Sequence, residues 1–206
     1  MKIGVLAAQG AFAEHIAVLR KLRVEAVEVR LPGELDGLDG LIIPGGESTS
    51  IAKLMLDYKI TDKLRKLIKK GLPAFGTCAG AILLSKSGSR DTVATAMKRD
   101  VVKRYPERLG VMDICVRRNA FGRQVDSFET DLAIPALGKT PFHAIFIRAP
   151  LMENVANGKV EVLAKLADGT IVAARQGKVL AAAFHPELTD DLRFHQYFLD
   201  IVAGKR

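Results

Sequence analysis

The sequence predicts an α/β fold with a doubly wound, mostly parallel central sheet flanked by helices. Strand-like apolar runs alternate with amphipathic helical segments in the first half, and glycine-containing turns follow several of these runs. No linker, repeat or low-complexity tract divides the chain, and 206 residues with 49% hydrophobic content can bury a sizeable core. We therefore expect a single domain over residues 1–206.

The first half of the chain alternates strands with helices. Strands are predicted at residues 2–7, 24–29, 38–43 and 72–75, where the runs are apolar or alternate with period two. Helices are predicted at residues 12–22, 48–56 and 61–70, and a further helix from about Ala79. Ser48 or Thr49 is the expected N-cap of the second helix.

The second half has short strand-like runs separated by turn residues. They lie at residues 111–117, 143–147, 160–166, 171–174 and 179–184. Asp168-Gly169 is typical of a hairpin turn. The tail over 189–202 is predicted to be a helix capped by Thr189. The charge-rich stretch from Ser85 to Arg108 is expected to form a loop and a surface helix.

Composition argues against several classes of protein. The formal net charge is +8, but the cations are scattered over helix faces without interleaved aromatic residues, so we expect no nucleic-acid partner. No apolar run approaches membrane-spanning length, and the apolar start is expected to be a buried strand rather than a signal peptide. Cys78 and Cys115 suggest neither a disulfide nor a zinc site, which favours a cytoplasmic location.

The most informative motif is Gly76-Thr77-Cys78-Ala79-Gly80, between an apolar run and a predicted helix. Gly-x-Cys-x-Gly is the thiol form of the strand–turn–helix elbow that carries a catalytic nucleophile. It is expected to project Cys78 into the crevice at the carboxyl end of the sheet, where open α/β folds bind ligands. The helix start would favour a thiolate and offer the Ala79 amide to an oxyanion. Alone, the motif also fits a small buried core cysteine.

A histidine and a carboxylate far downstream complete a candidate triad. His185 ends an apolar strand, and in extended backbone Glu187 points to the same side two residues later. Glu187 would then orient His185 in a Cys-His-Glu acyl-transfer site. Alone, the pair fits a loop histidine near an unrelated glutamate, but the elbow favours the triad. The histidines His15, His143 and His195 lack metal-ligand spacing, so no metal site is predicted.

Two further segments are candidates for substrate binding. Consecutive glycines in Pro44–Thr49 let backbone amides approach a substrate, and one would complete the oxyanion hole with Ala79. A phosphate cradle without the Walker lysine and a plain turn remain alternatives for this segment. The segment Arg117–Gln124 would hold a substrate carboxylate through a guanidinium, although a solvated turn fits its composition equally well.

Together these motifs resemble the glutaminase subunits of pyridoxal 5′-phosphate synthase, which are class I triad glutamine amidotransferases with a flavodoxin-like fold. The elbow and the distant His-Pro-Glu are common to triad amidotransferases. The strings at residues 118–124, 146–150 and 185–189 are specific to these subunits, and residues 4–10 and 14–15 match the family as well. The resemblance runs from Met1 to about the end of the last helix. It departs in the longer, basic stretch after Ser85 and in Ala81, where the family more often has leucine.

The resemblance implies hydrolysis of L-glutamine to glutamate and ammonia. By the family's pattern Cys78 is the nucleophile, His185 the general base and acid, and Glu187 its orienting partner. Gly46 and Ala79 would supply the oxyanion hole. The matching substrate-binding positions are Gly46, Glu47, Ser48, Arg118, Ile147 and Arg148.

The resemblance also implies a partner. Ammonia would pass to a separate synthase subunit in a large hetero-oligomer, and this subunit would dock near Gln9, Gly10 and Glu14. Pyridoxal phosphate is the product of that pathway, so no cofactor is expected in this chain. A peptide flip within Gly45–Glu47 on docking is a further hypothesis, because glycine changes the sign of φ at little cost.

Other functions remain open at this point. The chain could serve a different synthase, such as one for histidine or purine biosynthesis, although the 118–124 string favours vitamin B6. A thiol peptidase on a similar sheet normally carries a different acidic partner. A non-catalytic regulatory subunit would have no need of an intact triad, and a basic binding module would not need a thiol elbow.

Overall fold

The computed structural model describes residues 1–87, 107–117, 127–153 and 158–206. Helices in these ranges are α1 (Phe12–Lys21), α2 (Ser48–Asp57), α3 (Thr61–Lys69), α4 (Ala79–Leu84) and α5 (Arg193–Val202). Strands are β1 (Lys2–Leu6), β2 (Glu25–Val29), β3 (Gly40–Ile43), β4 (Ala74–Thr77), β5 (Ser85–Ser87), β6 (Met112–Arg117), β7 (Ser127–Leu132), β8 (Phe142–Ile147), β9 (Leu151–Glu153), β10 (Glu161–Lys165), β11 (Ile171–Gln176) and β12 (Val179–Ala182).

The central part of the sheet is parallel. Strands β2, β1, β3, β4 and β12 lie side by side in that order, each parallel to its neighbours. Every residue of β3, β4 and β12 is buried, as expected for parallel strands covered on both faces. The predicted doubly wound α/β fold is confirmed in this part of the molecule.

The sheet becomes mixed beyond β12. Strand β11 is antiparallel to β12, β10 and β9, and β9 is antiparallel to β6. Short turns connect β10 to β11 and β11 to β12, and Gly169 (φ +87°) and Gly177 (φ +56°) lie in them. Hairpins of this length can join only antiparallel strands. The turns at Asp168-Gly169 and Gln176-Gly177 therefore explain why this half of the sheet is not parallel.

Three of the strands in the described residues were not predicted. Strands β7 and β8 form a separate antiparallel pair, and the prediction placed a strand only at the second of them. In β7 three consecutive polar residues, Glu129, Thr130 and Asp131, separate the only two apolar ones, Phe128 and Leu132, so the apolar signal of a strand is weak. Strand β9 has three residues, too few to show a period. Strand β5 occupies the first residues of the stretch expected to be a loop and a surface helix, and residues 88–106 of that stretch lie outside the described residues.

Two predicted helix caps are wrong. Helix α2 begins at Ser48, but its N-cap is Glu47, whose carboxylate accepts hydrogen bonds from the backbone N–H groups of Thr49 (3.0 Å) and Ser50 (2.6 Å). Helix α5 begins at Arg193, four residues later than predicted. Pro186 starts a 3₁₀ turn that ends at Leu188, so Thr189 precedes the helix and does not cap it.

The fold brings two distant segments together at one edge of the sheet. Strands β4 and β12 are adjacent and parallel, and Thr77 lies opposite Ala182. The carboxyl ends of the two strands therefore meet, and the residues after each of them lie side by side. Among the described residues, no helix has both the length and the apolar character needed to span a membrane.

Candidate active site

Cys78 lies on a strained turn between β4 and α4. Its φ of +47° and ψ of −102° are unusual for a residue with a side chain. The backbone N–H of Cys78 donates to Ala182 O in β12 (2.8 Å), which ties the turn to the neighbouring strand. A β-carbon at Gly80 would clash with the carbonyl oxygen of Ile43, so the small residue lets α4 pack closely on the sheet. The turn has the strand–turn–helix form that the sequence motif predicts.

His185 and Glu187 follow β12 and are hydrogen-bonded to each other. His185 Nδ1 lies 2.7 Å from Glu187 Oε1. His185 is 7% exposed and Glu187 6%. The backbone from Pro186 is a 3₁₀ turn and not the extended chain assumed from the sequence, yet the tight turn still brings the two side chains together. The backbone N–H of His185 donates to Ile145 O (2.8 Å), which anchors the turn on β8.

His185 and Glu187 stabilise each other's charged forms. Burial disfavours a charged imidazole, but hydrogen bonds with Cys78 and Glu187 outweigh it and raise the pKa of His185 to about 10. Burial also disfavours the Glu187 carboxylate, but His15 and the hydrogen bond with His185 keep its pKa below the ordinary value. The arrangement therefore favours an imidazolium between Cys78 and an ionised Glu187.

A cavity of about 310 Å³ opens in front of the thiol. Its lining residues come from the segments that follow β1, β3, β8 and β12 and from the elbow with α4. They are Gln9, Gly46, Glu47, Ser48, Cys78, Ala79, Ile82, Ile147, Arg148, Pro150 and His185. The structure thus brings together all the predicted substrate-binding and oxyanion positions except Arg118, which lies outside the described residues. The volume is in the range of small-molecule sites.

The Gly45-Gly46 segment packs directly against the candidate triad. A β-carbon at Gly45 would clash with the His185 ring and come within 3.3 Å of Cys78 Cβ. The carbonyl oxygen of Ile147, at the end of β8, lies 3.8 Å from Cys78 Sγ. Glycine at position 45 is therefore required for the imidazole to reach its place beside the thiol.

Glu47 has its carboxylate turned to its own helix. Burial opposes the charge, but hydrogen bonds from Thr49 and Ser50 lower the pKa of Glu47 to about 2. Its backbone N–H donates to Gln9 Oε1 (2.8 Å). Because this amide is already occupied, it does not serve as an oxyanion donor in the conformation seen here.

Two of the predicted docking residues lie at the same site: Gln9 lines the cavity and Gly10 contacts Gly45. Gln9, Gly10 and Glu14 are exposed. Gly10 has φ +101°, and a β-carbon there would clash with Gly45 O. The N–H of Ala11 donates to the same oxygen (3.1 Å). The segment expected to meet a partner is thus in direct contact with the glycine loop of the cavity.

Sequence reasoning set aside two histidines that the structure places next to the triad. His15 on α1 and His195 on α5 are both completely buried. His15 Nε2 lies 3.4 Å from Glu187 Oε2. Each histidine lies on the apolar face of an amphipathic helix. This position in the sequence pattern is the feature from which their burial could have been predicted. Among the described residues, no cluster of three or more His, Cys, Asp or Glu side chains could hold a metal ion.

Fold and cavity together define an α/β protein with a thiol elbow and a neighbouring histidine–glutamate pair. Residues 5–203 match the model of the SNO glutamine amidotransferase family, and the chain belongs to that family. Pyridoxal 5′-phosphate synthase subunit PdxT of Moorella thermoacetica is 54% identical over 203 residues, which cover 98% of this chain and 100% of the relative. The subunit PdxT of Thermotoga maritima is 52% identical over 204 residues, with coverage of 98% and 100%.

Solved structures agree with this assignment. The crystal structure of a glutamine amidotransferase superimposes with a TM-score of 0.85 at 50% identity, covering 98% of each chain. PurLQS from Thermotoga maritima superimposes with a TM-score of 0.63 at 15% identity, covering 97% of each chain. The second likeness concerns the fold alone.

Proposed function

We propose that the chain is the glutaminase subunit of a pyridoxal 5′-phosphate synthase and hydrolyses L-glutamine to glutamate and ammonia. The observation that carries this proposal is the position of His185, hydrogen-bonded to Glu187 and beside Cys78 at a small-molecule cavity. The PdxT relatives, more than half identical over nearly the full chain, support the pathway. We further propose a single domain over residues 1–206 and a cytoplasmic location.

The chemistry begins with the thiolate of Cys78. Its sulfur attacks the side-chain carbonyl carbon of glutamine, a C–S bond forms, and the carbonyl electron pair moves to oxygen. Backbone amides at Gly46 and Ala79 stabilise this oxyanion. The C–N bond then breaks as His185 gives its proton to the leaving nitrogen, which departs as ammonia. Glu187 stabilises the imidazolium that makes this transfer possible.

Hydrolysis of the thioester completes the cycle. Water attacks the acyl carbon while His185 accepts one of its protons, and the C–S bond breaks to release glutamate and regenerate Cys78. Arg148 and Arg118 bind the substrate carboxylate, and Gly46, Glu47, Ser48 and Ile147 hold the rest of the molecule. Ammonia leaves toward a synthase subunit that docks on Gln9, Gly10 and Glu14.

The experiment measures ammonia and glutamate release from L-glutamine, with and without a purified synthase subunit. The variant is Cys78→Ala, and the matched control is Cys115→Ala, which removes the other thiol from β6. Turnover in the wild type and in Cys115→Ala, absent in Cys78→Ala, supports the proposal. Full turnover in Cys78→Ala would rule out Cys78 as the nucleophile. Equal turnover with and without the synthase would count against activation of the glutaminase by its partner.

A further inference from the structure

Two buried histidines, His15 and His195, take no direct part in the proposed reaction. His15 Nδ1 lies 2.9 Å from His195 Nε2, and His15 Nε2 lies 3.1 Å from Thr77 Oγ1 and 3.4 Å from Glu187 Oε2. His15 therefore contacts the residue before the nucleophile and also the far oxygen of the triad carboxylate. Buried imidazoles are retained where they satisfy specific partners, because burying an unsatisfied polar group is costly.

The protons of this pair can be assigned from their surroundings. His195 Nδ1 is buried and has no hydrogen-bond partner among the described residues. An orphaned buried N–H is rarer than an orphaned acceptor, so the His195 proton belongs on Nε2. It is then donated to His15 Nδ1, which leaves the His15 proton on Nε2. This proton is donated to Thr77 Oγ1 (3.1 Å), and the nitrogen that carries it lies 3.4 Å from Glu187 Oε2.

Both rings act as neutral donors. Burial lowers the pKa of His15, with Glu187 and Glu14 opposing it and His185 adding to it. Burial and His15 together lower the pKa of His195. His15 therefore acts on Glu187 as an oriented N–H dipole and not as a positive charge. The imidazolium of His185 supplies the positive charge beside the Glu187 carboxylate.

Glu187 Oε2 needs such a donor. It is buried, and no group in the described part of the chain makes a standard hydrogen bond to it. The other oxygen, Oε1, is taken by His185 at 2.7 Å. His15 Nε2, which is hydrogen-bonded to Thr77 Oγ1, lies 3.4 Å from Oε2 and is the N–H group positioned to turn toward it. A carboxylate held at one oxygen alone can rotate about its terminal torsion, which is soft.

We propose that His15 is a positioning residue, whose Nε2–H holds Glu187 Oε2 and so keeps Oε1 directed at His185 Nδ1. His195 fixes the tautomer of His15 that can donate. The inference deepens the proposed function and rests on it, because it assigns a support to the same triad. Helix α1, which carries His15, packs against the turn of Pro186–Leu188, so the support belongs to the scaffold and not to a loop.

The test compares three variants in the assembled enzyme with its synthase. His15→Leu removes the donor and keeps an apolar side chain, whereas His15→Gln offers an amide N–H near the position of Nε2. Ile16→Ala, on the same helix and also buried, is the control for lost packing. We expect kcat to fall roughly 10- to 100-fold in His15→Leu with little change in KM, and His15→Gln to recover most of the loss. Ile16→Ala should keep the wild-type kcat per folded molecule.

A second readout does not depend on glutamine turnover. The rate of alkylation of Cys78 by iodoacetamide is followed against pH by mass spectrometry, with Cys115 as internal reference. In His15→Leu the pH at which the His185 proton is lost should move down, because a poorly held Glu187 stabilises the imidazolium less. His195→Phe keeps His15 but removes the hydrogen bond that holds the His15 proton on Nε2. This variant should shift the alkylation profile in the same direction by a smaller amount.

The outcomes separate the two proposals. A His15→Leu enzyme with the kcat and alkylation profile of Ile16→Ala would overturn the positioning role. If His15→Leu does not fold, an unchanged kcat and profile in His195→Phe would overturn it equally. If the wild type releases no ammonia, the proposed function fails, while the alkylation profiles still decide whether His15 acts on the pair of His185 and Glu187.

Discussion

His185 Nδ1 and Glu187 Oε1 lie 2.7 Å apart across a single proline, and both side chains are buried. The 3₁₀ turn that begins at Pro186 makes this contact possible, because it folds the carboxylate back toward the ring. The backbone of His185 is held in turn by Ile145 O. The contact between His185 and Glu187 therefore depends both on the 3₁₀ turn and on the attachment of that turn to the neighbouring strand.

Glu187→Gln should impair catalysis far more than stability. An amide in place of the carboxylate favours the wrong imidazole tautomer and no longer stabilises the imidazolium, so kcat should fall by roughly 10²- to 10⁴-fold. The pKa of His185 should also drop from about 10 toward its ordinary value of 6.5. Glu25→Gln, at an exposed glutamate of β2, is the matched control. Steady-state kinetics of both variants check the prediction, and equal kcat values would contradict it.

Gly45→Ala should disable the site. Its β-carbon would clash with the His185 ring and crowd Cys78 Cβ, so the imidazole must leave its place beside the thiol. We expect a loss of kcat of at least about 100-fold, since small displacements of catalytic groups have large effects. Gly33→Ala is the control, because a β-carbon there meets nothing within 4 Å. Activity and a crystal structure of Gly45→Ala would check the displacement, and an unmoved ring with full activity would refute it.

Glu47 should stabilise the fold in a pH-dependent way. Its pKa is about 2 in the folded protein against an ordinary value of 4.5. The carboxylate therefore contributes stability above pH 4.5, and this contribution is lost as the pH falls from 4.5 to about 2. Glu47→Gln should be about 1 kcal/mol less stable than the wild type at pH 7, because it loses the charge at the N-terminus of α2.

The measurement for Glu47 is urea unfolding of both proteins at several pH values. The difference in unfolding free energy should shrink steadily below pH 4.5, where the wild-type carboxyl takes up its proton. Other carboxyl groups titrate in the same range, and taking the difference between the two proteins removes their common contribution. A difference that stays constant down to pH 2 would show that the charge of Glu47 has no role in the cap.

Arg148 is expected to combine substrate binding with backbone strain. Its φ of +43° lies in the left-handed region, and the residue lines the cavity. Arg148→Ala and Arg148→Gly should both raise KM roughly tenfold, because each removes the guanidinium. Arg148→Gly should be the more stable of the two by about 1 kcal/mol, since glycine adopts this φ without strain. Thermal unfolding and substrate titration separate the two effects, and equal stabilities would mean that position 148 is not strained.

The sequence by itself determined the elements whose causes are local. The elbow depends on Gly76, Cys78 and Gly80 within five residues, and the hairpin at Asp168-Gly169 depends on its own turn residues. Periodicity found α1, α3 and most strands of the central sheet. The prediction of the N-cap of α2 was wrong because neighbouring residues could all serve as the cap. The side chain of Glu47, and not that of Ser48 or Thr49, accepts the hydrogen bonds of the free backbone amides.

Only the tertiary structure decided which distant residues meet. Cys78 and His185 become neighbours because β4 and β12 pair in parallel, and no local pattern encodes that pairing. His15 and His195 are 180 residues apart, and each looks from its own helix like an ordinary buried residue. The contacts of His15 with His195 and with Glu187 arise when the helices that carry the two histidines pack at the end of the sheet. Periodicity shows which face of a helix is buried, whereas the packing of the whole chain selects its partner.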